Sequence, residues 1–221
     1  MRLAAQQVEG YALVVVPEIP LEPARPADAT PIAQMSRRLI ERGLAWRWTP
    51  RAVAARISDS ETAAVVARNH RGMVGFAIMS FRFSRREAHL LLMAVDPRLR
   101  RTGVGKALWG WLEILARRGG VDRVQLEVRA ENLGANAFYR SLGFRKVARL
   151  PGYYQASKRA REDALRMVAE LRRRRASAAG SQTGVPSPAP WARASPALEL
   201  ARDAARRAAR PRDGTRRAPC D

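Results

Sequence analysis

The apolar residues of this chain switch repeatedly between the spacing of a strand and that of a helix. Alternating apolar positions predict strands at residues 19–24, 62–68, 73–81, 87–95, 121–129 and 144–150. Helical spacing predicts helices at residues 31–43, 50–57, 105–118 and 132–142. Residues 164–171 fit either element, because their apolar positions alternate while their composition favours a helix. The pattern as a whole predicts an α/β fold.

Capping and turn residues indicate where several of these elements end. Thr30 and Thr49 are predicted N-caps of the first two helices, and Pro50 suits the first helical position. The sequence N-H-R-G at residues 69–72 predicts a turn between two strands, and Gly143 is expected to end the fourth helix.

Composition divides the chain into three parts. Residues 1–17 form a leader with a short apolar run, which is either an added strand or the product of a start codon placed too far upstream. Residues 18–171 carry the mixed strand and helix pattern and are predicted to form one domain. Residues 172–221 are rich in Arg, Ala and Pro and hold too few large apolar side chains to form a core, which predicts a disordered tail.

The formal net charge of +21 is typical of proteins that bind polyanions. Nearly all the cations are Arg, however, and they are dispersed among many Ala residues, as GC-rich coding produces without selection for a ligand. Contact with nucleic acid or the ribosome through the basic tail is therefore a secondary hypothesis.

Cysteine and histidine are too scarce for several classes of protein. Cys220 is the only cysteine, which excludes a disulfide framework and a cysteine-based metal site. His70 and His89 are too few for a histidine-rich metal centre, so we expect no metal. The sequence has neither an apolar run of membrane-spanning length nor the apolar core of a signal peptide, so we expect a cytoplasmic protein without membrane contact.

The segment V-D-P-R-L-R-R-T-G-V-G-K-A at residues 95–107 joins a predicted strand to a predicted helix. Glycine lets a backbone approach a ligand, and the free amides and dipole at a helix start favour an anion. The turn therefore predicts a phosphate site. It is not a Walker loop, because Ala107 follows Lys106, and Leu108 stands where the dinucleotide fingerprint needs glycine. Its cations are Arg98, Arg100, Arg101 and Lys106.

A different pattern does fit this turn. Arg100-x-x-Gly103-x-Gly105 after V-D-P resembles the acetyl-CoA loop of the GNAT N-acetyltransferase superfamily. That superfamily also carries N-x-x-A-x-x-x-Y-x-x-x-G-F after its fifth strand. Here the pattern is formed by Asn132, Ala135, Tyr139, Gly143 and Phe144.

The nearest likeness is to the RimI-type branch, which acetylates the N-terminal alanine of a ribosomal protein. That branch shares E-V-R-A-x-N at residues 127–132, the pair Tyr153-Tyr154, and R-E-D-A at residues 161–164. The resemblance is detailed over residues 74–171, faint before them and absent after them.

The resemblance implies a three-layer fold with a mixed, mostly antiparallel sheet and a seventh strand at residues 164–171. Its fourth and fifth strands are expected to splay and admit the pantetheine of acetyl-CoA along the backbone of Met93, Ala94 and Val95. Asn132 is expected to tie the strand–helix junction to the cofactor arm. The pyrophosphate is expected at Arg100, Arg101, Thr102, Gly103, Val104, Gly105 and Lys106.

The resemblance also assigns catalytic roles that the pattern alone leaves open. Strand alternation allows Glu127 to be a solvent-facing residue, whereas the resemblance makes it the general base, with a pKa expected to be raised near a buried groove. Tyr139 fits a core aromatic, whereas the resemblance makes it the acid that protonates the leaving thiolate. Tyr153 and Tyr154, after the predicted turn Pro151-Gly152, are expected to contact the acceptor.

We therefore expect an acetyl-CoA-dependent N-acetyltransferase that works by direct attack in a ternary complex, with a protein N-terminal amine as acceptor. At neutral pH roughly a tenth of an α-amine with a pKa near 8 is uncharged, but well under a thousandth of a lysine amine. A small amine, such as a polyamine or an antibiotic, is the alternative acceptor. A basic nucleic-acid-binding protein on the same scaffold is the alternative from another class.

Overall fold

The computed structural model describes residues 19–156 and 161–171. Within them, four α-helices and three short 3-10 helices accompany one seven-stranded sheet. The α-helices are α1 (Ala29–Leu39), α2 (Pro50–Ile57), α3 (Val104–Arg118) and α4 (Leu133–Ser141). The strands are β1 (Leu21–Pro23), β2 (Thr62–Asn69), β3 (Gly72–Arg82), β4 (Glu87–Val95), β5 (Arg123–Arg129), β6 (Arg145–Gln155) and β7 (Arg161–Glu170).

The strands are ordered β1-β2-β3-β4-β5-β7-β6. All neighbours are antiparallel except β4 and β5, which run parallel. These two pair only over Glu87–His89 with Arg123–Gln125, whereas β5 pairs with β7 along its whole length. Beyond His89, therefore, the two parallel strands separate, and the predicted splay is confirmed.

Helices cover both faces of the sheet. The apolar faces of α1 and α2 pack against β2, β3 and the end of β4, with Ile32 and Val53 fully buried. On the other face α3 buries Leu108 and Leu112 in the core that it forms with β2, β3 and β4. Burying one such side chain stabilises the fold by about 1.5–3 kcal/mol, so the helical stripe predicted for α3 is core.

The first helix differs from its prediction at both ends. It begins at Ala29, so Thr30 lies inside the helix, and Asp28 occupies the N-cap position instead. It ends at Leu39, four residues before Gly43, because the buried carboxylate of Glu41 binds the backbone of the following loop. The cap of the second helix is confirmed. Thr49 Oγ1 accepts a hydrogen bond from the backbone N–H of Ala52 at 3.3 Å.

The end of β6 also differs from the prediction of a turn after residue 150. The strand continues to Gln155 across a bulge, so Tyr153 and Tyr154 lie in a strand. Gly152 takes a φ of +61°, and its N–H donates to the Asp163 carboxylate at 2.8 Å. These contacts turn a sequence that favours a turn into an irregular strand.

The ambiguity at residues 164–171 is settled in favour of a strand, since β7 lies between β5 and β6. The predicted leader at 1–17 and the predicted tail at 172–221 lie outside the described residues. Among the described residues, no helix has the length and apolar character needed to cross a membrane. The cytoplasmic location stays a prediction.

Candidate active site

The turn between β4 and α3 presents unpaired backbone amides at a helix start. The first backbone hydrogen bond of α3 runs from Ala107 N to Gly103 O at 2.9 Å, so the N–H groups of residues 104–106 precede the helical ladder. Arg101 and Gly103 have positive φ angles of 65° and 95°, which bend the chain into this start. Arg100, Arg101 and Lys106 are exposed around it. Amides, dipole and cations together suit a phosphate.

Gly103 and Gly105 serve different purposes in this turn. Gly103 supplies the left-handed backbone conformation that side chains disfavour. At Gly105 a Cβ would lie 3.1 Å from Phe138 Cζ, so this glycine permits the close approach of α3 and α4. Thr102 closes the turn by donating from Oγ1 to Leu99 O at 2.7 Å, and the Val104 side chain is buried in the core.

The end of β4 directs two amides into the gap beside β5. Asp96 N donates to Val74 O on β3 at 2.8 Å. Because successive N–H groups of a strand point to opposite edges, those of Val95 and Met93 face the side where β5 has separated. Ala94 lies between them with its side chain in the core and its N–H on the β3 side.

Glu127 lies on β5, on the face opposite the buried Leu126 and Val128. Its side chain is only 6% exposed, because two partners cover it. Oε2 lies 2.6 Å from His89 Nε2, and Oε1 accepts a hydrogen bond from Arg166 Nε at 2.8 Å. The interpretation of Glu127 as a solvent-facing residue is therefore wrong.

These partners also reverse the expected pKa shift of Glu127. Burial raises the pKa of the carboxyl, but the hydrogen bond and charge of His89, followed by those of Arg166, lower it further than burial raises it. The pKa lies below its ordinary value, so the expectation of a raised value is wrong. The side chain is an ionised carboxylate at neutral pH.

Tyr153 and Tyr154 approach Glu127 from β6. Tyr154 donates from its hydroxyl to the backbone oxygen of Glu127 at 3.1 Å, which fixes β6 against the base. Tyr153 packs edge-to-face on Tyr154 with ring centroids 5.0 Å apart, and it is exposed. Burial and then Glu127 raise the pKa of Tyr153, while Arg166 and Arg47 act in the opposite direction. Arg47, between α1 and α2, is thus within electrostatic reach of Tyr153.

Tyr139 and Asn132 occupy α4 and its start. Tyr139 is buried edge-to-face against Phe138 and Phe144, with centroid distances of 5.4 and 5.6 Å. Burial raises the pKa of its phenol well above the usual range, so Tyr139 holds its proton at neutral pH. Asn132 is the N-cap of α4, because its Oδ1 accepts a hydrogen bond from Ala135 N at 3.0 Å.

The sequence interpretation did not single out His89 or Arg166 as partners of Glu127. Arg166 is the direct cross-strand neighbour of Glu127, and His89 occupies the last paired position of β4. Neither belongs to a recognised motif. Strand alternation would have placed all three on one face only if the pairing register had been known.

A gap between splayed parallel strands, bordered by free amides and a buried carboxylate, defines an acyl-CoA-dependent N-acyltransferase. The family model described as Acetyltransferase (GNAT) family matches residues 33–144, and the chain belongs to this family. The predictions of the GNAT fold and of an acetyl-CoA-dependent N-acetyltransferase are therefore confirmed.

Relatives include enzymes named for N-terminal acetylation. The [ribosomal protein bS18]-alanine N-acetyltransferase of Escherichia coli K12 is 35% identical over 128 residues, which are 58% of this chain and 84% of that protein. An uncharacterized protein of Mycobacterium leprae is 35% identical over 140 residues, or 60% of this chain, but the match spans only 36% of that longer protein. The likeness to the RimI-type branch is confirmed.

A solved structure extends the likeness to three dimensions. The crystal structure of the Escherichia coli ribosomal-protein-S18-alanine N-acetyltransferase superposes with a TM-score of 0.59 at 28% identity. The match covers 75% of this chain and 99% of that one.

Proposed function

We propose that this chain acetylates the α-amine of a polypeptide N-terminus by direct attack on acetyl-CoA in a ternary complex. One observation carries the proposal: a buried, ionised Glu127 lies beside the gap between β4 and β5, next to the exposed ring of Tyr153. A base is thus available where a thioester and an amine can meet. The E. coli relative named for the same reaction supports this acceptor class.

The proposed position of acetyl-CoA follows from the donors along β4 and α3. Pantetheine lies in the gap and accepts hydrogen bonds from the N–H groups of Met93 and Val95, with Ala94 forming the wall between them. The pyrophosphate lies at the start of α3. The groups that hold it are the amides of Thr102, Gly103, Val104, Gly105 and Lys106 and the cations of Arg100, Arg101 and Lys106. Asn132 keeps the start of α4 beside this arm.

In the proposed reaction the acceptor nitrogen loses two protons. The acceptor ammonium gives one proton to Glu127, directly or through a water, and its nitrogen attacks the thioester carbon. The N–H of Val95 or Met93 stabilises the developing oxyanion. The C–S bond then breaks, and the thiolate takes the phenol proton of Tyr139. The nitrogen of the new amide loses its second proton to solvent, and solvent returns one proton to the Tyr139 phenolate.

His89 and Tyr154 are assigned supporting roles. The His89 side chain is 33% exposed while that of Glu127 is 6% exposed, so His89 connects the base with solvent and lets its proton leave. Tyr154 holds the strand that carries Tyr153, and Tyr153 contacts the backbone of the incoming peptide.

An acceptor screen tests this proposal. Calorimetry measures acetyl-CoA binding, and mass spectrometry then reads the products from three acceptors: a peptide with a free N-terminus, the same peptide with a blocked N-terminus and one lysine, and a polyamine. We expect rapid transfer only to the free N-terminus. Transfer confined to the polyamine or to the lysine would overturn the assignment of the acceptor.

Contact with nucleic acid or the ribosome is proposed separately for residues 172–221, which lie outside the described residues. A salt titration of binding to ribosomal RNA, with the full chain and a chain ending at residue 171, tests it. Steep salt dependence that disappears with the truncation supports this contact.

A further inference from the structure

Residues 40–49 join α1 to α2, and we call them the acceptor loop. The loop is attached to the sheet at two points, one on β5 and one on β6. Arg129 Nη1 on β5 donates to the backbone oxygen of Arg42 at 2.8 Å. The backbone N–H of Ala45 donates to Gln155 O at the end of β6 at 3.3 Å. The loop therefore spans the strands that carry Glu127 and the two tyrosines.

Arg129 joins this loop to a third element. Its Nε donates to Glu162 Oε2 at 2.7 Å, and its Nη2 donates to Glu162 Oε1 at 2.6 Å. The fork of a guanidinium fixes both direction and distance when it binds a carboxylate with two bonds. Both side chains are about three-quarters covered, at 26% and 27% exposure, so solvent screens this pair less than a fully exposed one.

Internal hydrogen bonds brace the acceptor loop. The buried Glu41 accepts through Oε1 from the backbone N–H groups of Arg47 and Trp48, at 2.7 and 3.2 Å. Arg37 Nη1 donates to Leu44 O at 2.5 Å. We therefore expect a displacement at Arg42 to shift Arg47 and the neighbouring Trp46, which is exposed.

Arg129 lies close to the proposed base without contacting it. Side chains two residues apart on a strand project to the same face, so Arg129 and Glu127 share the open face of β5. The cross-strand partner of Glu127 is Arg166, which anchors the carboxylate. Glu162 thus orients Arg129, and the bond from Arg129 to Arg42 O ties the acceptor loop to the strand that carries the base.

We propose that Arg129 and Glu162 are positioning residues. They set the width of the groove between the acceptor loop and strands β5 and β7. This inference rests on the proposed function, because it assigns the groove to the acceptor peptide. It also gives a physical meaning to two motifs, because the arginine of E-V-R-A and the glutamate of R-E-D-A form one ion pair, called here the joint. The proposed donors to acetyl-CoA lie on β4 and at the start of α3, so its affinity should not depend on the joint.

The test compares Michaelis constants for two substrates in matched variants. Arg129→Met keeps an unbranched apolar stem and removes all the donors of the guanidinium, whereas Glu162→Gln keeps the shape of the side chain and removes its charge. The control is Arg149→Met, which removes another cross-strand pair, Arg149 Nε to Asp163 Oδ2 at 2.7 Å, that does not contact the loop. We expect Arg129→Met to raise the KM for the peptide about tenfold or more, since a misplaced substrate loses productive geometry. The control should leave it unchanged.

Further measurements separate positioning from simple destabilisation. The Kd for acetyl-CoA and the KM for a small primary amine, which is too short to reach the loop, should stay at wild-type values in Arg129→Met. Glu162→Gln should raise the KM for the peptide by a smaller factor, and the double variant should be no worse than Arg129→Met, because both changes break one joint. If Arg129→Met fails to fold, Glu162→Gln alone decides.

The outcomes are distinguishable. A wild-type chain that acetylates no free N-terminus refutes the proposed function, and the inference falls with it. If the wild type acetylates the peptide but Arg129→Met and Glu162→Gln match Arg149→Met, the inference is overturned while the proposed function stands. It is also overturned if Arg129→Met weakens acetyl-CoA binding as much as peptide binding.

Discussion

The imidazole Nε2 of His89 lies 2.6 Å from Glu127 Oε2, although the two residues are 38 positions apart in the sequence. The contact forms at the last paired position of β4, immediately before the strands separate. The buried carboxylate is therefore connected with solvent through an imidazole that is one-third exposed. This pair links the architecture of the sheet to proton transfer.

Replacing Glu127 with Gln should lower kcat by about ten- to ten-thousand-fold, the range expected when a general base is removed. The amide keeps the shape of the side chain but accepts no proton from the amine. Single-turnover assays at saturating acetyl-CoA measure the effect. Glu113→Gln on α3 is the control, because Glu113 binds Arg117 on the surface and lies outside the site. Equal turnover in the two variants would exclude Glu127 as the base.

Replacing Arg166 with Met should raise the pKa of Glu127. The variant removes a hydrogen bond and a positive charge that lower this pKa. Only His89 then opposes the effect of burial, which raises the pKa. The carboxyl carbon of Glu127, followed by NMR and assigned by its absence in Glu127→Gln, should titrate at higher pH than in the wild type. An unchanged midpoint contradicts the assignment.

The same shift has a consequence for stability. Because the pKa of Glu127 in the folded state is lower than its ordinary 4.5, its ionised form stabilises the fold above that pH. This contribution is lost as the pH falls through the folded-state pKa. Acid unfolding of Arg166→Met should therefore begin at higher pH than that of the wild type.

Replacing Tyr139 with Phe should lower kcat while leaving the KM for acetyl-CoA nearly unchanged, because the ring still fills the space beside Phe138 and Phe144. The expected loss is about ten- to ten-thousand-fold if the phenol protonates the thiolate. Burial raises the pKa of Tyr139, so ionisation of this phenol should not limit kcat up to about pH 10. A variant with wild-type kcat would leave Tyr139 as a core residue only.

Replacing Gly103 with Ala should weaken acetyl-CoA binding. Its φ of +95° costs an L-residue about 1–2 kcal/mol, so the turn before α3 should rearrange and its amides lose their alignment. Gly143→Ala is a matched control, because Gly143 has a similar φ of +89° and open space where the Cβ would lie. We expect both variants to lose stability but only Gly103→Ala to raise the Kd measured by calorimetry.

Local patterns predicted the parts of the fold that local interactions determine. The stripe of Leu108 and Leu112 follows from helical periodicity, and the Thr49 cap follows from the chemistry of a hydroxyl beside free amides. Thr30 has the same chemistry but is not a cap, since Asp28 precedes it and is held by an ion pair with the distant Arg68. A partner 40 residues away decided that helix start.

The site shows the same division more clearly. The motifs correctly identified the residue types, but the environment of Glu127 depends on His89 and Arg166, whose positions require the pairing of three strands. Considering burial without these partners gave the wrong sign for its pKa shift. Tyr153 and Tyr154 likewise lie in a strand because β7 extends far enough to pair with Tyr154 and Gln155. Cross-strand register is a property of the whole sheet and is not encoded in any one segment.

The three residue pairs between β4 and β5 have one more consequence. They divide the sheet into two half-sheets, one of β1, β2, β3 and β4 and the other of β5, β7 and β6. The backbones of the two half-sheets are hydrogen-bonded to each other only at one end. A pantetheine chain bridging the open end would act as the missing length of ladder. Acetyl-CoA would then be a structural element of the sheet as well as the acetyl donor. Each release of CoA would separate the two half-sheets at this end, and each binding of acetyl-CoA would join them again.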